Sequence, residues 1–89
     1  MVDSVFSKAY ERVIEAVVAM RKDAGMTQRD LAAKLGREQS FIGRIETGQR
    51  RIDLVELIWL CKACGADPEA VLVKLVREVS RALPVRGRR

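Results

Sequence analysis

The stretch Thr27 to Gly48 reads TQRDLAAKLGREQSFIGRIETG, and its spacing decides the fold. Thr27 stands where a helix begins, with Asp30 three residues on, a variant of the capping box in which each side chain satisfies the other residue's backbone amide. Leu31 and Leu35 lie one turn apart on the inner face of the short helix that follows, and Gly36 ends it. A turn at Gly36 calls for positive φ, which glycine adopts without a Cβ penalty. A second helix, from about Gln39 to Thr47, turns Ile42 and Ile45 inward and stops at Gly48. Ala32 falls where the two helices cross, and only a small side chain allows so close an approach. Two helices joined by so tight a turn cross at about 90–120° and leave the second one projecting from the body.

The flanks carry the same punctuation. Upstream, Phe6, Tyr10, Val13, Ile14, Val17 and Met20 recur at three- and four-residue steps, predicting a helix from about Ser4 to Ala24 that Gly25 ends. Downstream, Asp53 with Glu56 caps a helix from Leu54 to Cys64, ended by Gly65. Asp67-Pro68-Glu69 opens a fifth, with Asp as cap and Pro at the first helical position, and its apolar stripe is Val71, Leu72, Leu75, Val76, Val79 and Leu83. Pro84 stops it. No strand pattern, internal repeat or linker appears. The expected architecture is all-α, a five-helix bundle with residues 1–83 as one domain, the helix-turn-helix at residues 27–48, and a basic mobile tail at 84–89.

Composition limits the chemistry. The chain has 89 residues, 48% of them hydrophobic, with 17 Lys and Arg against 12 Asp and Glu, a net charge of +5 and no histidine. Without an imidazole there is no Ser-His-Asp or Cys-His nucleophile and none of the common histidine-containing zinc sets. No catalytic site, metal or cofactor is expected. The apolar runs fall short of a bilayer span, and Met1 to Ser7 show no signal peptide, so a cytoplasmic protein with no membrane partner is expected. Residues 27–51 hold six basic and three acidic groups, and 84–89 hold three basic groups and no acidic one. A localised positive surface suits a polyanion, since phosphate contacts release condensed counterions. Simple solubility is the competing account of the same charge.

Taken together, Arg21, Gly25-Met26-Thr27-Gln28, Leu31-Ala32-Ala33-Lys34-Leu35-Gly36, Gln39-Ser40, Ile42, Arg44-Ile45-Glu46, Gly48 and the leucine-rich fourth helix ending Cys64-Gly65 resemble the Cro and phage-repressor type, the Xre-like helix-turn-helix regulators. The resemblance implies a lambda-repressor-like fold whose third helix enters the major groove of double-stranded DNA. It places Gln28 against the DNA backbone and Gln39, Ser40 and Arg44 on the reading face, where Gln suits adenine N6/N7 and Arg suits guanine O6/N7. A solvated helix face is the alternative for Gln39 and Ser40. Thr47, Gln49, Arg50 and Arg51 fall in a loop that such proteins use for backbone contacts. Arg21 and Glu46 occupy positions that pair in this family, implying a structural ion pair.

Two positions depart from that pattern. Glu38 stands where Ser or Thr often caps the recognition helix; it either accepts from cytosine N4 or only favours the helix N-terminus electrostatically. Gly43 weakens the helix, and its missing side chain allows close approach to the DNA backbone or to a thymine methyl. Cys61 and Cys64 spell C-x-x-C, but at a helix end and with no further ligands they read as buried structural thiols. Trp59 is expected in the core, while Phe41 is either core or partly exposed. The long first and fifth helices either cover each other or carry a two-fold dimer contact through Leu72, Val76, Val79 and Leu83, and the dimer is the preferred expectation. The sequence therefore points to a dimeric, sequence-specific repressor without enzymatic activity. An antitoxin or restriction-controller protein of the same fold, and a protein-interaction module with a protein partner and little DNA binding, stand as alternatives.

Overall fold

A computed structural model describes residues 4–85, which form α1 (Ser4–Asp23), α2 (Gln28–Lys34), α3 (Gln39–Glu46), α4 (Leu54–Cys64) and α5 (Pro68–Ala82). Before α2, α4 and α5 the side chain of the preceding Thr or Asp closes the first turn. Thr27 accepts from the Asp30 amide and Asp30 from the Thr27 amide, so both halves of the capping box are made. Asp53 and Glu56 repeat this at α4, and Asp67 accepts from the Glu69 amide at α5. Glu38, before α3, makes no side-chain cap bond. Its carboxylate forgoes the bond that Ser or Thr would supply there.

The turn between α2 and α3 follows from Gly36, whose φ is +66°. The Arg37 amide donates to the Ala32 carbonyl at 2.9 Å and the Gly36 amide to the Ala33 carbonyl at 3.1 Å. These bonds satisfy the carbonyls that the end of α2 would otherwise leave open. Leu83, in extended geometry before Pro84, ends α5. Arg86, Arg88 and Arg89 of the expected basic tail lie outside the described residues.

One apolar core gathers all five helices. Val17 and Met20 of α1, Leu31 and Ala32 of α2, Ile42 and Ile45 of α3, Leu57, Leu60 and Cys61 of α4, and Leu75 of α5 are buried together. Removing a buried aliphatic side chain from such a cluster costs about 2–5 kcal/mol. α5 packs along α1, and α2 packs against α3. Phe41 resolves to the core side, at 6% exposed, and Trp59 packs against the core while partly exposed. Cys61 is buried but Cys64 is only partly so, which corrects the expectation of two buried thiols. Burial raises both thiol pKa values, so they stay protonated. Among the described residues, no helix is long and apolar enough to cross a membrane.

Candidate nucleic-acid interface

α3 buries Phe41, Ile42 and Ile45 and turns Gln39, Ser40, Arg44 and Thr47 outward, with Gly43 between them. The outward face has two borders, and each is held by a different set of interactions.

The border facing α2 is a continuous polar chain. Arg21 Nε donates to Glu46 Oε2 at 2.8 Å, and its second guanidinium nitrogen donates to Oε1 at 3.0 Å. Its third nitrogen donates to the Met26 carbonyl at 2.9 Å, tying the turn after α1 into the same unit. Glu46 Oε1 also accepts from Gln28 Nε2 at 2.8 Å, and Gln28 Oε1 accepts from Gln39 Nε2 at 2.6 Å. The amide orientations are forced. A carboxylate only accepts, so Gln28 must turn its NH2 to Glu46 and its oxygen to Gln39, whose NH2 must in turn donate. Gln39 is left with its carbonyl oxygen and one N–H pointing outward.

Gly43 belongs to this arrangement. A Cβ added there would stand 3.2 Å from Gln39 Nε2 and 3.6 Å from Gln28 Oε1, so a side chain at this position would press on the amide pair and shift Gln39 by a few tenths of an ångström. The Arg21 and Glu46 side chains are only 12% and 7% exposed, and hydrogen bonding to Glu46 raises the Arg21 pKa further. The Gln39 to Gln28 bond has no signature in the sequence, because a pair eleven residues apart on two helices follows no single periodicity.

The other border meets the loop before α4. Arg50 makes a two-pronged contact with Glu56 at 2.9 and 3.1 Å and donates to the Arg51 carbonyl at 3.0 Å. The Arg50 guanidinium, followed by the Asp53 amide, lowers the Glu56 pKa. Arg50, expected as a phosphate contact, thus has its charge matched within the protein. Arg51 is exposed and lies 4.4 Å from the centre of the Tyr10 ring. The Tyr10 hydroxyl accepts from the Ile52 amide at 3.0 Å, which pins the loop to α1. The sequence showed Tyr10 only as a member of an apolar stripe; an aromatic ring carrying a polar tip is the signal that was there to be used. The Thr47 hydroxyl donates to the Arg44 carbonyl at 3.3 Å, and Gln49 is exposed. Arg44 makes no side-chain hydrogen bond or ion pair among the described residues.

The residues expected at a dimer contact divide. Leu72 and Val79 pack against the chain's own core and Leu83 is half-buried, whereas Val76 is 62% exposed. Leu72, Val76 and Val79, but not Leu83, border an apolar hollow of about 310 Å³ with Val13, Leu57 and Leu75.

Residues 18–72 match the family of helix-turn-helix domains. Among solved structures, an XRE-family like protein from Pseudomonas syringae pv. tomato str. DC3000 is similar, with 38% identity and a TM-score of 0.78 over 83% of this chain and 90% of that one. The chain belongs to the Xre-like helix-turn-helix family. A comparison with curated proteins gave no match. As an Xre-like helix-turn-helix protein it is a DNA-binding regulator, and the fold is typical of regulators that are not enzymes.

Proposed function

We propose that this Xre-like protein is a dimeric repressor that reads a palindromic operator with α3 in the major groove. The observation that carries the reading is the hydrogen-bonded chain from Arg21 through Glu46 and Gln28 to Gln39. It fixes a base-reading amide before DNA arrives, so little side-chain freedom is lost on binding. The remaining acceptor and donor of Gln39 suit the N6 and N7 edge of adenine. Arg44, without a side-chain partner among the described residues, reads guanine through O6 and N7, and Ser40, Glu38 and Gly43 line the same groove. The second N–H of Gln28 reaches a phosphate, with Thr47, Gln49, Arg50 and Arg51 along the backbone. The exposed Val76 and its neighbours Leu72, Val79 and Leu83 form the two-fold contact, which sets the two α3 helices about one helical turn, roughly 34 Å, apart.

Selection from random duplexes, followed by footprinting, tests this. A palindrome should be recovered, and Arg44→Ala should lose about 1–3 kcal/mol with relaxed preference at one position of each half-site. Arg51→Ala should weaken all sequences alike. Failure to enrich any duplex even at low salt removes the reading, and sedimentation showing one protomer on the recovered site removes the dimer.

A further inference from the structure

Between the turn after α2 and the loop before α4, three arginines rest on aromatic rings. The Arg37 guanidinium carbon lies 4.5 Å from the centre of Phe41 and 5.5 Å from that of Trp59. Arg50 lies 4.9 Å from the same Phe41 ring, and Arg51 rests on Tyr10. Phe41 is buried although it lies on the projecting helix, with these two guanidiniums stacked against it.

The charges of Arg37 and Arg50 are not equivalent. Arg50 is matched by Glu56 at 2.9 Å. Arg37 is exposed and makes no side-chain hydrogen bond or ion pair among the described residues, so its donors are all unused. A guanidinium lying on rings keeps its edge toward solvent and is held in place, which is the geometry that receives a phosphate.

Position on the helix adds direction. At 3.6 residues per turn, Phe41 neighbours Arg44 on the side of α3 away from Gln28 and Glu46. A helix in a groove about 12 Å wide has one phosphate strand along each border. Gln28 stands at one border; Arg37 stands at the other.

We propose that Arg37, held on Phe41 and Trp59, grips a phosphate of the strand opposite the one met by Gln28, while Arg50 acts mainly as a clasp between the loop and Glu56. The proposal rests on the DNA-binding reading above and deepens it by assigning a backbone contact outside the residues that the family pattern nominates.

The test is the salt dependence of binding by the full chain to a fluorescently labelled random-sequence duplex. Each phosphate neutralised contributes about 0.9 to the slope of log K against log salt. Arg37→Gln preserves a planar group over Phe41 but removes the charge, and it should lower the slope by about 0.9. The loss of affinity between about 50 and 200 mM salt then becomes about three- to fourfold smaller than in the wild type. Arg37→Lys, which keeps the charge, should restore the slope. Far-UV circular dichroism and melting confirm that each variant is folded. A folded Arg37→Gln variant with the wild-type slope overturns the assignment of Arg37 and leaves the DNA-binding reading standing. A wild-type protein that binds no duplex at low salt overturns both.

Discussion

Replacing Glu46 by Ala removes the acceptor on which one border of the reading face depends. Three donors lose their partner: two guanidinium nitrogens of Arg21 and the amide of Gln28. Arg21 keeps only the Met26 carbonyl. Breaking a buried ion pair from one side costs about 3–5 kcal/mol, because the remaining charge is left uncompensated. The Arg21 side chain is 12% exposed, so water reaches it and the expected loss is at the lower end, about 3 kcal/mol. For a domain of this size the whole stability is on the order of 4–13 kcal/mol. The melting temperature should therefore fall by about 12–24 °C.

Urea unfolding followed by the emission of Trp59, the single tryptophan, measures the change directly. A companion variant separates stability from positioning. Arg21→Met with Glu46→Leu replaces the pair by apolar groups of similar volume, and buried pairs replaced in this way often lose no stability. It should refold close to wild-type stability yet bind the operator weakly, since Gln28 no longer has a carboxylate to orient it. The reasoning is refuted if Glu46→Ala unfolds within about 1 kcal/mol of the wild type, or if the double variant binds DNA as the wild type does.

Two further expectations concern single groups. Gly43→Ala should raise helix stability by up to about 0.8–1 kcal/mol. The new Cβ must displace Gln39 Nε2, now 3.2 Å from its position, so operator affinity should fall while urea resistance rises; a rise in both would contradict the role given to the amide pair. The pKa values of Glu56 and Asp30 are lowered, the first by Arg50 and the second by the Thr27 backbone and side chain. A carboxylate depressed in the folded state adds stability above its unfolded value, near 4, and loses it as pH falls through the folded value. Unfolding midpoints should accordingly drop as pH falls below about 4, and Glu56→Gln should flatten part of that slope; an unchanged slope in the variant would rule out the Arg50 clasp as its source.

The helices were legible because their ends are written in residues with few other uses. Thr27, Asp53 and Asp67 cap, Gly36 turns, and Pro84 stops, each through a property of a single residue. The inner face of α3 was legible from Ile42 and Ile45, since only one side of a helix can be buried. The network around Gln39 was not. Spacing along the chain carries no information about which amide meets which across two helices, so Gln28 and Gly43 were read toward DNA alone and their contacts with Gln39 stayed hidden. Arg50 shows a related gap: a loop arginine has the same appearance in the sequence whether or not Glu56, six residues on, also pairs with it. The stripe on α5 told that a face is covered but not by what. Leu72 and Val79 find part of that cover within the chain, while Val76 does not.

The bond from the Ile52 amide to the Tyr10 hydroxyl joins two segments 42 residues apart. Its consequence is kinetic as well as geometric. An amide in a surface loop ordinarily exchanges its proton with water quickly, but this one is released only when the loop leaves α1. The motion of the arginine-bearing loop is thereby coupled to the first half of α1, and the exchange rate at Ile52 becomes a clock for that motion. A change beside Tyr10 on α1 can alter how often the loop opens without altering any residue proposed to meet DNA.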